Sequence, residues 1–169
     1  MSVLRYFNAY PAATQAQVRE LIENGRLDDY LQRRYPQRHD IRSDRALYDY
    51  TIELKQQYLR SSAALHKVVY QNKMDVLRNV LGLHTTISRV QGGRLKSKQE
   101  IRIASLFKEA PPEFLEMVVV HELAHLKESD HNKSFYQLCC HMLPDYHQVE
   151  FDLRLYLAQQ ELLGDKQPL

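Results

Sequence analysis

The chain has 169 residues, of which 44% are hydrophobic and 26% charged, and its formal net charge is +2. This composition describes a chain of one domain, or one domain with a helical extension, that can bury a core. No stretch approaches the run of roughly 18 apolar residues that a membrane crossing needs, and the first residues lack the pattern of a signal peptide. We therefore expect a cytoplasmic protein with no membrane partner. Its two cysteines, Cys139 and Cys140, are adjacent, which excludes a disulfide framework.

The charges are unevenly distributed along the chain. Residues 1–108 hold 19 Lys and Arg against 10 Asp and Glu, whereas residues 109–169 hold 4 against 11. Such a division indicates either that the two regions attract each other or that the basic region meets an acidic partner.

The first half of the chain predicts helices. Apolar residues recur there at helical spacing, and Gly25 and Pro36 stand where the first two helices should end. Ser43 fits the N-cap of a third helix, whose apolar stripe reaches Val80. The heptad pattern of this stripe is broken at residues 61–62, which favours core packing over a coiled coil. The predicted helices cover residues 12–24, 27–35 and about 44–80.

The pattern changes after residue 84. Residues 85–90 are rich in β-branched side chains and are followed by Gly92-Gly93, which predicts a strand and a turn. Residues 101–107 alternate between apolar and polar side chains and predict a second strand. Pro111-Pro112 ends this unit and opens the next helix. The helices predicted from there cover residues about 112–127, 132–142 and 148–162.

The strongest motif is His121-Glu122-Leu123-Ala124-His125, followed by His131. Residues four apart on a helix lie about 40° apart around its axis and about 6 Å apart along it, so His121 and His125 can bind one metal ion. His131 can fold back past a turn as the third ligand, which leaves a position for water, as in catalytic zinc sites. The spacing predicts one zinc ion, Zn²⁺, bound by these three histidines.

Glu122 is the predicted catalytic base. It lies at the flank of the face that carries His121 and His125, on a helix that is otherwise apolar, and a buried carboxylate there needs a stabilising cation. Zinc acidifies its bound water, and Glu122 can take the proton of that water and pass it to a leaving amine. Alternatives for the third ligand are His141, His147, Glu150 and Asp152. Candidates for stabilising the oxyanion are Tyr136, Tyr146, His147 and Arg89.

Residues 118–128 (VVVHELAHLKE) and 131–136 (HNKSFY) resemble the YgjP-like metallopeptidase family, relatives of the SprT-like zinc proteases. The resemblance covers about residues 85–157. It implies an α+β, zincin-like fold, zinc on the three histidines, Glu122 as catalytic base, and peptide or protein substrates that could add to the strand before the motif helix. From this resemblance together with the sequence pattern, we expect a helical N-terminal region over residues 1–84 and the zincin-like core over residues 85–169, in one compact unit.

Two other functions remain open on the sequence. A nucleic-acid-associated zinc protein is suggested by residues 89–108, which hold six Lys and Arg against Glu100 alone, although no nucleic-acid-binding motif is present. A non-catalytic metal-binding scaffold is the other alternative, and the presence of Glu122 argues against it because a closed structural site has no use for a base.

Overall fold

The computed structural model describes residues 2–72 and 99–165. The strand predicted at residues 85–90 and the turn after it lie outside these ranges. Within them the chain is mostly helical, with a small parallel sheet of two strands, which confirms the α+β class. In chain order the elements are a 3₁₀-helix (Ser2–Phe7), α1 (Ala12–Glu23), α2 (Leu27–Arg34), α3 (Asp44–Tyr58), β1 (Leu65–Gln71), β2 (Gln99–Ala104), a second 3₁₀-helix (Ser105–Lys108), α4 (Pro112–Ala124), α5 (Lys133–Met142) and α6 (Tyr146–Asp165).

These elements form two compact units. The first consists of Met1–Gln37 with His147–Leu169, and the second of Arg38–Tyr146. None of the helices in the described ranges combines the length and the apolar character that a membrane span requires.

In the first unit, α1 ends as its sequence predicts. Gly25 has a φ of +66°, a left-handed conformation that glycine adopts without steric cost. The amides of Gly25 and Arg26 donate to the carbonyls of Ile22 and Leu21 at 3.1 and 3.0 Å. This Schellman pattern stops the helix and lets α2 begin two residues later.

A buried carboxylate organises the interior of the first unit. Asp152, with no exposed surface, accepts hydrogen bonds from the hydroxyls of Tyr30 and Tyr35 and lies 3.2 Å from Nε of Arg34. Burial, and then the hydrogen bond and charge of Asp152, raise the pKa of Tyr30 to about 12. Both tyrosines therefore stay protonated and act as donors to this carboxylate at neutral pH.

In the second unit, the prediction of one long helix over residues 44–80 is wrong. Helix α3 ends at Tyr58, and Leu65–Gln71 is strand β1, which pairs in parallel with β2. An irregularity in the register falls between Leu65 and Lys67. Because of this bulge the buried residues Leu65 and Val68 are three apart, a spacing that imitates a helix in the sequence.

The second predicted strand is confirmed as β2, although it ends at Ala104 and Phe107 lies in the 3₁₀-helix that follows. That 3₁₀-helix is held by His39, whose Nε2 lies 2.8 Å from the carbonyl of Phe107. A carbonyl only accepts, so His39 donates through Nε2, and its Nδ1 accepts from the amide of Ile41 at 3.0 Å. His39 is thus a structural contact.

Helix α4 begins with Pro112 at its first position, where the missing N–H costs nothing. Nine of its thirteen residues are buried, as the apolar sequence predicts for a helix that is covered on most sides. Helix α5 packs against α4. The segment between these two helices contains the rest of the histidine motif.

Candidate metal centre

Three imidazoles meet where α4 ends. His121 lies in the last turn of α4, His125 directly follows its last residue, and His131 lies just before α5. Their Nε2 atoms are 3.2 Å apart for His121 and His125, 3.0 Å for His125 and His131, and 3.2 Å for His131 and His121. Among the residues that the structure describes, no other set of three or more His, Cys, Asp or Glu side chains is placed to share a metal ion.

The local sequence explains why the chain turns back here. Beyond Ala124 the amides of residues 126 and 127 donate to carbonyls three residues earlier, at 3.0 and 3.1 Å, which tightens the last turn and ends the helix. Asn132 then caps α5 by accepting from the amide of Phe135 at 2.9 Å. The reversal between these two points brings His131 to the end of α4.

The contacts of the Nδ1 atoms determine how the rings of His121 and His125 are oriented. His125 Nδ1 lies 2.9 Å from the backbone carbonyl of Glu128. Because a carbonyl only accepts, His125 carries its proton on Nδ1 and directs the lone pair of Nε2 towards the other histidines. His121 Nδ1 lies 2.8 Å from the hydroxyl of Tyr146. Such contacts are typical of histidines that bind metal through the opposite nitrogen.

The spacing of the three nitrogens fits a metal ion. A neutral imidazole carries one ring proton, and a single N–H can point at only one of its two neighbours in this triangle of nitrogens. Hydrogen bonds alone therefore cannot account for all three short contacts. Zinc binds imidazole nitrogen at about 2.0–2.1 Å, and in tetrahedral geometry two such nitrogens are about 3.3–3.4 Å apart. The observed separations of 3.0–3.2 Å agree within a few tenths of an ångström.

The cluster is enclosed on one side and open on the other. His121 is only 2% exposed, His125 is half-buried and His131 is exposed. Phe135, which is completely buried, lies under all three rings, with centroid distances of 4.9 Å to His121, 4.6 Å to His125 and 4.9 Å to His131. The cluster therefore has an apolar base at Phe135 and is open to solvent on the side of His131.

The other residues singled out in the sequence fall into several groups. Glu122 follows His121 on α4 and is half-buried. Tyr136 is near the cluster, with its ring 6.5 Å from that of His131 and 6.2 Å from that of Tyr146. Arg89 lies outside the described residues, and His147 belongs to the first unit.

The alternative third ligands have other partners. The ring of His141 packs edge-on against Tyr58 at 5.7 Å. In the first unit, Glu150 pairs with Arg154 at 3.2 Å, and Asp152 is held by the two tyrosines described above. The structure therefore brings together the favoured set of three histidines.

Sequence reasoning missed two contributors. Phe135, the base of the cluster, reads in the sequence as an ordinary apolar position of α5. Tyr146 was considered as an oxyanion donor, whereas the structure places its hydroxyl on a ring nitrogen of His121. A histidine that binds metal through one ring nitrogen usually has a hydrogen-bond partner for the other, so such a partner could have been expected. The sequence does not indicate which residue supplies it.

Comparison with known proteins places the chain in a family. The model of the YgjP-like family, described as a metallopeptidase domain, matches residues 15–156. The chain therefore belongs to the YgjP-like family, and the match extends well upstream of the histidine motif. A protein of Escherichia coli K12 named UTP pyrophosphatase is 59% identical to it over 166 residues, which are 98% of this chain and 99% of that relative. No solved structure matches the chain.

Proposed function

We propose that this chain is a metal-dependent hydrolase that holds one zinc ion on His121, His125 and His131. The observation that carries the proposal is the triangle of Nε2 atoms, 3.0–3.2 Å apart, at the open end of α4. Membership of a family described as metallopeptidases supports the same chemistry. Glu122 distinguishes this proposal from a scaffold that only binds metal.

Zinc bound there supplies an acidified water and a positive charge that polarises an oxygen of the substrate. The residues of the chain supply the rest. Phe135 and the backbone carbonyl of Glu128 hold the imidazoles in place. Glu122, the only acidic residue in the last turn of α4, takes the proton of the attacking water.

We propose a nucleoside triphosphate, UTP first, as the substrate. The support is the name of the 59% identical relative, which matches this chain over almost the whole length of both. This evidence is more specific than a description shared by a whole family. The surplus of basic residues in residues 1–108, 19 Lys and Arg against 10 Asp and Glu, suits a polyanionic substrate.

In the proposed reaction, the oxygen of water bonds to the α-phosphorus of UTP while the bond from that phosphorus to the bridging oxygen breaks. The products are UMP and pyrophosphate. Glu122 removes a proton from the water as it attacks, which keeps electron density on the oxygen that bonds to phosphorus, and it releases that proton to solvent after pyrophosphate has left. The pyrophosphate is a good leaving group because its charge is spread over several oxygens.

Peptide-bond hydrolysis is the second candidate, and the family description favours it. The same residues could serve it, since the attack of water on a carbonyl carbon also needs a base. There Glu122 would pass its proton to the leaving amine, which, unlike pyrophosphate, cannot depart without one.

The two candidates are separated by offering both substrates to the same zinc-loaded protein. UTP is followed by ³¹P NMR in water enriched in ¹⁸O, and a peptide library is followed by mass spectrometry. UMP carrying the ¹⁸O label, together with unlabelled pyrophosphate, supports attack at the α-phosphorus. Cleaved peptides with intact UTP establish the peptidase instead. A protein that contains one equivalent of zinc and cleaves neither substrate refutes the hydrolase proposal.

A further inference from the structure

We propose that Tyr146 is a positioning residue that fixes His121 for metal binding, an inference that rests on the metal site proposed above. Its hydroxyl lies 2.8 Å from Nδ1 of His121. Tyr146 is 1% exposed and His121 is 2% exposed. The contact is therefore shielded from water, where a hydrogen bond is strongest and a missing partner is most costly.

The tautomer of His121 explains why the contact matters. To bind metal through Nε2, a neutral imidazole must carry its proton on Nδ1. A buried N–H without an acceptor is unfavourable, and with metal on Nε2 the hydroxyl oxygen of Tyr146 would accept the Nδ1–H of His121. The same contact fixes the rotation of the ring, which a metal ligand needs in order to direct its lone pair correctly.

Tyr146 is itself held in place by its backbone and by the packing of its ring. It is the first residue of α6, and its amide donates to the carbonyl of Leu143 at 2.9 Å. Its buried ring lies 6.2 Å from the ring of Tyr136. The position of the hydroxyl thus follows from the packing of the ring and from the backbone.

His125 has an equivalent contact from the carbonyl of Glu128, at 2.9 Å. That acceptor belongs to the backbone and cannot be removed by mutation. The hydroxyl of Tyr146 is a side-chain acceptor and can be removed as a single oxygen atom by Tyr146→Phe.

The experiment measures metal affinity by competition with a chelator for Zn²⁺, and the absorption spectrum of the Co²⁺-loaded protein. We expect Tyr146→Phe to weaken zinc binding about tenfold or more, as is usual when the partner of a histidine ligand is lost, and to shift the Co²⁺ ligand-field bands. The control is Tyr70→Phe, which removes a hydroxyl that donates to the carbonyl of Ile41, away from any histidine ligand. It should leave affinity and spectrum unchanged.

Equal zinc affinity and equal Co²⁺ spectra in Tyr146→Phe and the wild type would overturn the role of Tyr146 while leaving the metal site standing. A wild-type protein that binds no zinc would instead refute the metal site. If Tyr146→Phe does not fold, ¹⁵N NMR of the histidine rings in the zinc-loaded wild type decides the question. A slowly exchanging, hydrogen-bonded proton on Nδ1 of His121, with cross-peaks to the ring of Tyr146, supports the proposal, and an Nδ1 proton without that contact refutes it.

Discussion

Replacing Phe135 tests how the site is held in shape before metal binds. Its ring is completely buried and lies 4.6–4.9 Å from all three imidazole rings. Phe135→Leu keeps an apolar side chain but loses these ring contacts and leaves a small void, which should cost about 1–2 kcal/mol of folding stability. The same ring contacts hold the imidazoles in the arrangement that binds metal. If that arrangement becomes less favourable by about 1–2 kcal/mol, the dissociation constant for zinc rises about 5- to 30-fold.

The matched control is Phe107→Leu. Phe107 is 1% exposed and lies in the same unit, so its replacement should cost comparable stability, measured by urea denaturation of the metal-free proteins. Chelator competition then gives the zinc affinity of both variants. We expect only Phe135→Leu to bind zinc more weakly. If both variants lose stability but keep wild-type zinc affinity, the reasoning that the ring preorganises the site is refuted.

Two further predictions concern stability. Burial, and then the charges of Asp145 and Glu113, raise the pKa of Glu116. Above that raised pKa, the ionised carboxylate therefore lowers the stability of the fold, and this destabilisation is absent below the ordinary glutamate pKa of about 4.3. Glu116→Gln should therefore raise the thermal midpoint at pH 7, and the gain should disappear as the pH falls towards 4; a gain that persists at low pH would contradict this cause. Asp152→Asn should lower the free energy of unfolding by about 2–4 kcal/mol in urea titrations, because a buried acceptor of charge-assisted hydrogen bonds is lost. Unchanged stability would show that the cluster around Asp152 contributes little.

The cluster of three histidines could be predicted from the sequence because helix geometry alone relates two of its members. Residues 121 and 125 share a helix face whatever the rest of the fold is, and His131 is close enough along the chain to return by a short turn. Tyr146 is 25 residues from His121. The end of α5 at Met142 was predicted, but α6 was expected to begin at residue 148 and begins at Tyr146, so the position of this hydroxyl could not be read from a local pattern.

The difference between local and distant contacts also explains why two helices were predicted correctly and one strand was not. Helices α1 and α2 were predicted almost to the residue because their stops are local, with a left-handed glycine after α1 and a proline soon after α2. Strand β1 was missed because its partner, β2, begins at Gln99, more than thirty residues after β1 starts. A strand whose alternation is interrupted by a bulge is recognisable only when the partner is known.

The central claim is that Glu122 supplies the base at a zinc site that hydrolyses UTP. Its most direct test is the rate of UTP cleavage by zinc-loaded Glu122→Gln, compared with the wild type at equal zinc content and with Glu116→Gln, on the same helix, as the control. The account predicts that Glu122→Gln keeps its zinc but cleaves UTP about 10²- to 10⁴-fold more slowly, while Glu116→Gln retains the wild-type rate. A Glu122→Gln protein that cleaves UTP at the wild-type rate would contradict it.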